Sequence, residues 1–237
     1  MIFHFSVACA THKGEYMIKN INLLGKASFF QGISPENIAS IVNSQICYVK
    51  NYNPETTIYD NGASVRYAGI ILEGTVDVIH PFICGNDTIV NRLHSGEAFG
   101  ESYAFLENYP LRCDIRAVTA CTILFINIRY LLQDAEFGSA YRLQLIDNVL
   151  KSLAMSNINL NTKIQLLTQK SLREKLLAYF YVLAEQHQSN EFELPFNREQ
   201  LARYLSSERS SVCRELAKLQ RENIIGVDGN WITLYLT

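Results

Sequence analysis

The residues best suited to chemistry cluster near the C-terminal end. Between Arg198 and Arg221 there are six basic residues (Arg198, Arg203, Arg209, Arg214, Lys218, Arg221) and three acidic ones (Glu199, Glu208, Glu215). This stretch is therefore +3 in a chain whose net charge is -2. Such a field is local, because the chain as a whole carries no surplus that would attract polyanions or anionic lipid indiscriminately. Arg209 and Arg214 are five residues apart and long enough to reach base edges, where a guanidinium fork fits the O6 and N7 acceptors of guanine. Ser207, Ser210 and Ser211 have hydroxyls that could bond phosphates or bases, or could simply be tolerated at a surface. Lys218, farther along, suits a phosphate.

Those side chains need a scaffold, and the pattern around them supplies one. Asn197 reads as an N-cap with Gln200 reaching back, followed by the apolar face of Leu201, Ala202 and Leu205. Ser206 and Ser207 form a turn, and Glu208 to Glu222 makes a second helix with Val212, Leu216 and Leu219 facing inward. Two helices joined by a tight turn are a helix-turn-helix. Two short apolar runs, 224–227 and 231–235, flank Asp228-Gly229-Asn230 as a hairpin that adds a wing. Upstream, Ser171-Leu172-Arg173-Glu174 is a capping box opening a helix to about Gln186.

Before that box, Leu143, Ile146, Leu150, Leu153, Asn157, Leu160, Ile164 and Leu167 alternate in steps of three and four, the seam of a two-stranded coiled coil. An ordinary amphipathic helix would show a wider stripe. The seam thus predicts a homodimer, with Asn157 fixing its register. Between Cys47 and Tyr130 short β-branched and aromatic runs are separated by Asp60-Asn61-Gly62, Glu73-Gly74, Gly85-Asn86-Asp87 and His94-Ser95-Gly96, which predicts a β-barrel or sandwich. Ser34 caps a short helix through Ser44 with Pro35 in its first turn.

Composition bounds the rest. The 237 residues are 48% hydrophobic and 19% charged with 12 Gly and 5 Pro, so disordered and collagen-like classes are excluded. No apolar run approaches the roughly 20 residues that cross a bilayer, and a soluble protein without membrane partners is expected. Cys9, Cys47, Cys84, Cys113, Cys121 and Cys213 show neither C-x-x-C nor zinc spacing, which suits a reducing cytoplasm. His4, Cys9 and His12 in an N-terminal tail, and the isolated His80 and His94, form no metal site by spacing. Ile2 to Ala10 imitates a signal sequence but lacks a basic n-region.

In this order the elements resemble the Crp/Fnr family of bacterial transcription regulators, from about Ile21 onward. YAGIILEG at 67–74 is similar to the family's apolar strand ending in Glu-Gly. Gly96-Glu97-Ala98-Phe99-Gly100-Glu101 is similar to its glycine-rich turn before the short helix facing the effector. The resemblance implies an α+β fold: an N-terminal tail (1–17), an effector β-roll, a double-stranded β-helix (18–137), a long dimerisation helix (138–170) and a C-terminal winged helix-turn-helix (171–237). It implies a non-enzymatic, cytoplasmic regulator that binds double-stranded DNA at an inverted-repeat operator and meets RNA polymerase. It assigns Arg209, Ser210, Ser211, Arg214 and Lys218 to DNA, although Ser210 stands where the family often has Glu.

The resemblance also assigns Gly100, Glu101, Arg112 and Cys113 to an effector site, with a departure. Family members that bind cyclic nucleotides carry Arg-Ser after the glycine turn, the Arg pairing with phosphate. Counting back from Ala117 without a gap puts Leu111 and Arg112 there, whereas a one-residue shift gives Arg112-Cys113. Cyclic AMP is therefore disfavoured and another small effector, or none, is expected; no cofactor is assigned. Two other readings use the same residues: a metal-dependent β-barrel enzyme, for which no H-x-H is present, and a helix-turn-helix that binds protein. Salt dependence separates the latter from a DNA binder.

Overall fold

A computed structural model describes residues 24–80, 87–106, 108–133 and 139–235. The expectations for the N-terminal tail, His4, Cys9 and His12 among them, lie outside the described residues.

The chain divides into two compact units. The first ends at Ile79 and resumes from Arg92 to Asn157; the second comprises His80–Asn91 and Ile158–Thr237. These bounds differ from divisions at 137 and 170. The long helix is not a separate body, because its first half buries Leu145 and Val149 in one core and its second half buries Leu166 in the other.

In the first unit a 3-10 turn at Ser28–Phe30 precedes α1 (Pro35–Asn43), whose N-cap Ser34 accepts from the Asn37 amide. Eight strands follow: β1 (Cys47–Tyr52), β2 (Thr57–Tyr59), β3 (Ala68–Glu73), β4 (Thr75–His80), β5 (Thr88–His94), β6 (Ala98–Phe99), β7 (Asp114–Ala117) and β8 (Cys121–Ile126), of which the last residue of β4 and the start of β5, up to Asn91, belong to the second unit. They form two four-stranded sheets ordered β1-β8-β3-β6 and β2-β7-β4-β5. That is the expected β-roll. Strand β3 is buried from Ala68 to Leu72, so its run of apolar residues reflects cover on both faces. Gly74, at φ 97°, makes the turn to β4, and a β-carbon there would run into the Ala120 carbonyl.

Between β6 and β7 lies α2 (Glu101–Phe105), and after β8 come α3 (Ile128–Gln133) and α4 (Ser139–Leu167). Asn148 is buried on α4 and donates to the carbonyls of Phe29 and Gln31 at 3.0 and 2.8 Å, while Gln144 donates to its oxygen. These bonds set which side of α4 faces its own unit: Tyr141, Leu145 and Val149 are buried.

The second unit holds α5 (Leu172–His187), β9 (Glu191–Glu193), α6 (Arg198–Tyr204), α7 (Arg209–Arg221), β10 (Ile225–Asp228) and β11 (Trp231–Leu234). The capping boxes at Ser171 and Asn197 both form. The wing hairpin gains a strand that the sequence pattern did not mark, since β9 pairs with β11, with Phe192 opposite Ile232.

Candidate nucleic-acid interface

Helix α6 starts where Asn197 accepts from the Gln200 amide at 2.9 Å and Gln200 accepts from the Asn197 amide at 3.1 Å. It ends in a turn where Ser206 has φ 49° and the Ser207 amide donates to Ala202. Val212, Leu216 and Leu219 then bury one side of α7. The opposite side is exposed: Arg209, Ser210, Cys213, Arg214, Ala217, Lys218 and Arg221. Spacings of four align Ser210, Arg214 and Lys218 in one row and Arg209, Cys213 and Ala217 in the next. Ser211 lies half-buried and accepts from Arg214 Nη2 at 3.1 Å, which steadies that guanidinium.

Acidic groups nearby are held by cations. Arg173 on α5 reaches Glu215 at 3.4 Å and also pairs with Glu222, whose carboxyl is held below the usual range first by that hydrogen bond. These partners lie 42 and 49 residues from Arg173 in sequence, so no local pattern marks it. Arg198 donates through Nη2 to the Gly229 carbonyl at 2.6 Å, tying the wing turn to the start of α6. Burial lowers its pKa.

Lys163 is a second residue without a sequence signal. It lies off the three-four seam and only 6% of it is exposed; its Nζ donates to the Tyr204 carbonyl and sits against the Tyr204 ring. Burial, with a smaller push from Lys175, brings its pKa from 10.5 down to about 6.

In the β-roll, Gly100 at φ 76° caps α2 and leaves Glu101 7% exposed, accepting from Ser152 Oγ of α4 at 2.8 Å. Leu111 is buried at 1% exposure, Cys113 is buried with its thiol pushed up to about 11 by burial, and Arg112 between them is exposed. Glu101 and Ser152 are thus brought together, and Arg112 is turned to the surface. Among the described residues no group of three His, Cys, Asp or Glu could hold a metal. No helix among them is long and apolar enough to cross a membrane.

A cyclic nucleotide-binding domain model matches residues 49–134, and a Crp-like helix-turn-helix domain model matches residues 174–235, the segment whose basic face has just been described. The chain belongs to the Crp/Fnr family. It is a DNA-binding transcription regulator of the CRP type. The cAMP-activated global regulator CRP of Salmonella typhimurium is 21% identical over 191 residues, covering 81% of this chain and 91% of that protein. The c-di-GMP-responsive regulator CLP of Xanthomonas campestris shares its fold with TM-score 0.67 at 20% identity, over 81% of this chain and 95% of CLP. FixK2 of Bradyrhizobium japonicum does so with TM-score 0.62 at 20% identity, over 81% and 93%.

The burial of Lys163 has a signed consequence in this Crp/Fnr member. Between about pH 6 and 10.5 the unfolded chain holds a proton that folded Lys163 does not, so its cost to stability is full below about 6 and fades toward 10.5. Lys163→Met should therefore melt above the wild type at pH 6 and lose that advantage by pH 10, as thermal unfolding across pH would show.

Proposed function

We propose that the chain is a homodimeric, sequence-specific regulator that reads an inverted-repeat operator with α7 and takes a small effector other than cyclic AMP, or none. The observation that carries the reading is the exposed face of Arg209, Ser210, Arg214 and Lys218 opposite the buried Val212, Leu216 and Leu219.

The dimer rests on the far side of α4. Leu143 is 74% exposed, Leu150 60%, Ile164 59% and Leu160 47%, while Ile146, Leu153 and Leu167 are half-buried and Asn157 lies in the same row. An isolated chain rarely leaves so continuous an apolar strip in water. A second copy offers the matching strip, and isologous pairing brings two recognition helices about one helical turn, roughly 34 Å, apart. RNA polymerase is a further partner of such a regulator.

Arg209 and Arg214 read bases, Ser210 and Ser211 bond bases or phosphates, and Lys218 meets a phosphate. The β-roll reading is supported by Leu111, buried where a gap-free count places the cyclic-phosphate arginine, and by Arg112 facing outward. A leucine cannot pair with a phosphate. Gly100 and Glu101 retain the turn, and with Cys113 they would line a site for a ligand lacking that anion.

Three outcomes are expected. Leu153→Asp with Leu160→Asp places like charges in the seam and should give a monomer by light scattering; an unchanged dimer places the interface elsewhere. In binding-site selection, Arg214→Ala should cost about 1–3 kcal/mol per half-site and relax one symmetric base pair, whereas Lys218→Ala should weaken all duplexes evenly and lower the salt slope by about one. An Arg214→Ala preference identical to the wild type's would make Arg214 a phosphate contact. Isothermal titration with cyclic AMP should show no micromolar binding; binding that Arg112→Leu abolishes would restore the shifted alignment.

A further inference from the structure

The turn between α6 and α7 is held from outside the helix-turn-helix on two sides, all within the second unit. From α4, Lys163 donates to the Tyr204 carbonyl, which belongs to the last turn of α6 and is among the carbonyls a helix leaves without an internal partner. A donor there also suits the negative end of the helix. From the start of β5, the Asp87 carbonyl accepts from Arg203 Nε at 3.3 Å, and its carboxylate lies 3.7 Å from Arg203 Nη2. Next to it the Thr88 hydroxyl lies 3.5 Å from that of Ser206. Ile89 follows, fully buried in the same core cluster as Leu201, Leu205 and Val212.

Arg203, Tyr204 and Ser206 are therefore each gripped by a different group. The element they make is strained. Ser206 sits at φ 49°, in the left-handed region that suits glycine and costs a residue with a β-carbon. Such a conformation persists where its surroundings over-determine it. Three residues later α7 begins, with Val212, Leu216 and Leu219 packed into the core of the second unit. The direction in which Arg209 and Ser210 leave the turn therefore depends on what holds the turn as well as on that packing.

We propose that Lys163, Arg203 and the Asp87-Thr88 start of β5 are positioning residues for the recognition helix: they hold the turn in the geometry that presents α7, without touching DNA themselves. The inference rests on the DNA-binding reading for its consequence, but the grip can be tested without DNA. Hydrogen exchange of the free protein should show the Ser206 and Ser207 amides, which donate to Arg203 and Ala202, exchanging about tenfold faster in Lys163→Met and Arg203→Ala. For Lys163→Met this should come without a lower melting point.

On an operator from site selection, both variants should lose about tenfold in affinity with the salt slope unchanged, because no phosphate contact is removed. Arg203→Lys keeps a cation and donor for Asp87 and should recover most of that loss. Wild-type exchange in both variants, or operator binding as tight as wild type or tighter, overturns the proposal. A fall in salt slope for Arg203→Ala also overturns it, by making Arg203 a phosphate ligand. If the wild-type protein selects no duplex at all, the DNA-binding reading fails, and the exchange measurement still decides whether the turn is gripped.

Discussion

A helix of 29 residues, roughly 40 Å long, has more apolar surface than one side of it can bury, and its rotation decides what becomes of the surplus. In α4 that rotation is set by polar contacts as much as by packing. Asn148 has two carbonyls to satisfy and Glu101 has the Ser152 hydroxyl, and each bond works at only one setting of the helix about its axis. With these made, Tyr141, Leu145 and Val149 face inward, and Leu143, Leu150, Leu160 and Ile164 are left in water. Buried polar groups are costly when unpaired, so a few such bonds fix orientation more sharply than interchangeable aliphatic contacts do.

The basic face of α7 is likewise the product of interactions made elsewhere. Arg173 engages two carboxylates on and just beyond α7, Glu215 and Glu222, so neither is left free beside the exposed cations. The buried row of Val212, Leu216 and Leu219 holds the helix on its unit, and the tie from Arg198 to Gly229 holds the wing turn against the start of α6. Rigid placement matters here because base edges are distinguished by the geometry of donors and acceptors, which a loosely held helix could not read.

The fold of the β-roll rests on backbone geometry and apolar packing. Strand pairing, the tight turn at Gly74 and the left-handed Gly100 at the head of α2 depend on backbone geometry. None of them requires a cation at position 111. Leu111 fits there as core, at 1% exposure, and joins Cys113 and Ala104 in one apolar cluster. The same scaffold therefore accommodates relatives that respond to cAMP and to c-di-GMP, as the names of CRP and CLP state.

Local patterns determined much of this protein. The capping boxes at Ser171 and Asn197, the turn at Ser206, the wing hairpin and the three-four seam are each written within a few residues of one another, because helix ends, tight turns and helical faces depend on near neighbours. The basic row of α7 was legible for the same reason. What depended on distant partners was not. Strand β9 became a strand only by pairing with β11, and its three residues have no periodicity to detect. Lys163 owes its buried place to the carbonyl of Tyr204, 41 residues on, and Ser152 its role to Glu101, 51 residues back. The choice between Leu111 and Arg112 as the inward residue was likewise open on counting alone. The fold around them buries Leu111 and leaves Arg112 exposed, a difference that counting residues cannot see.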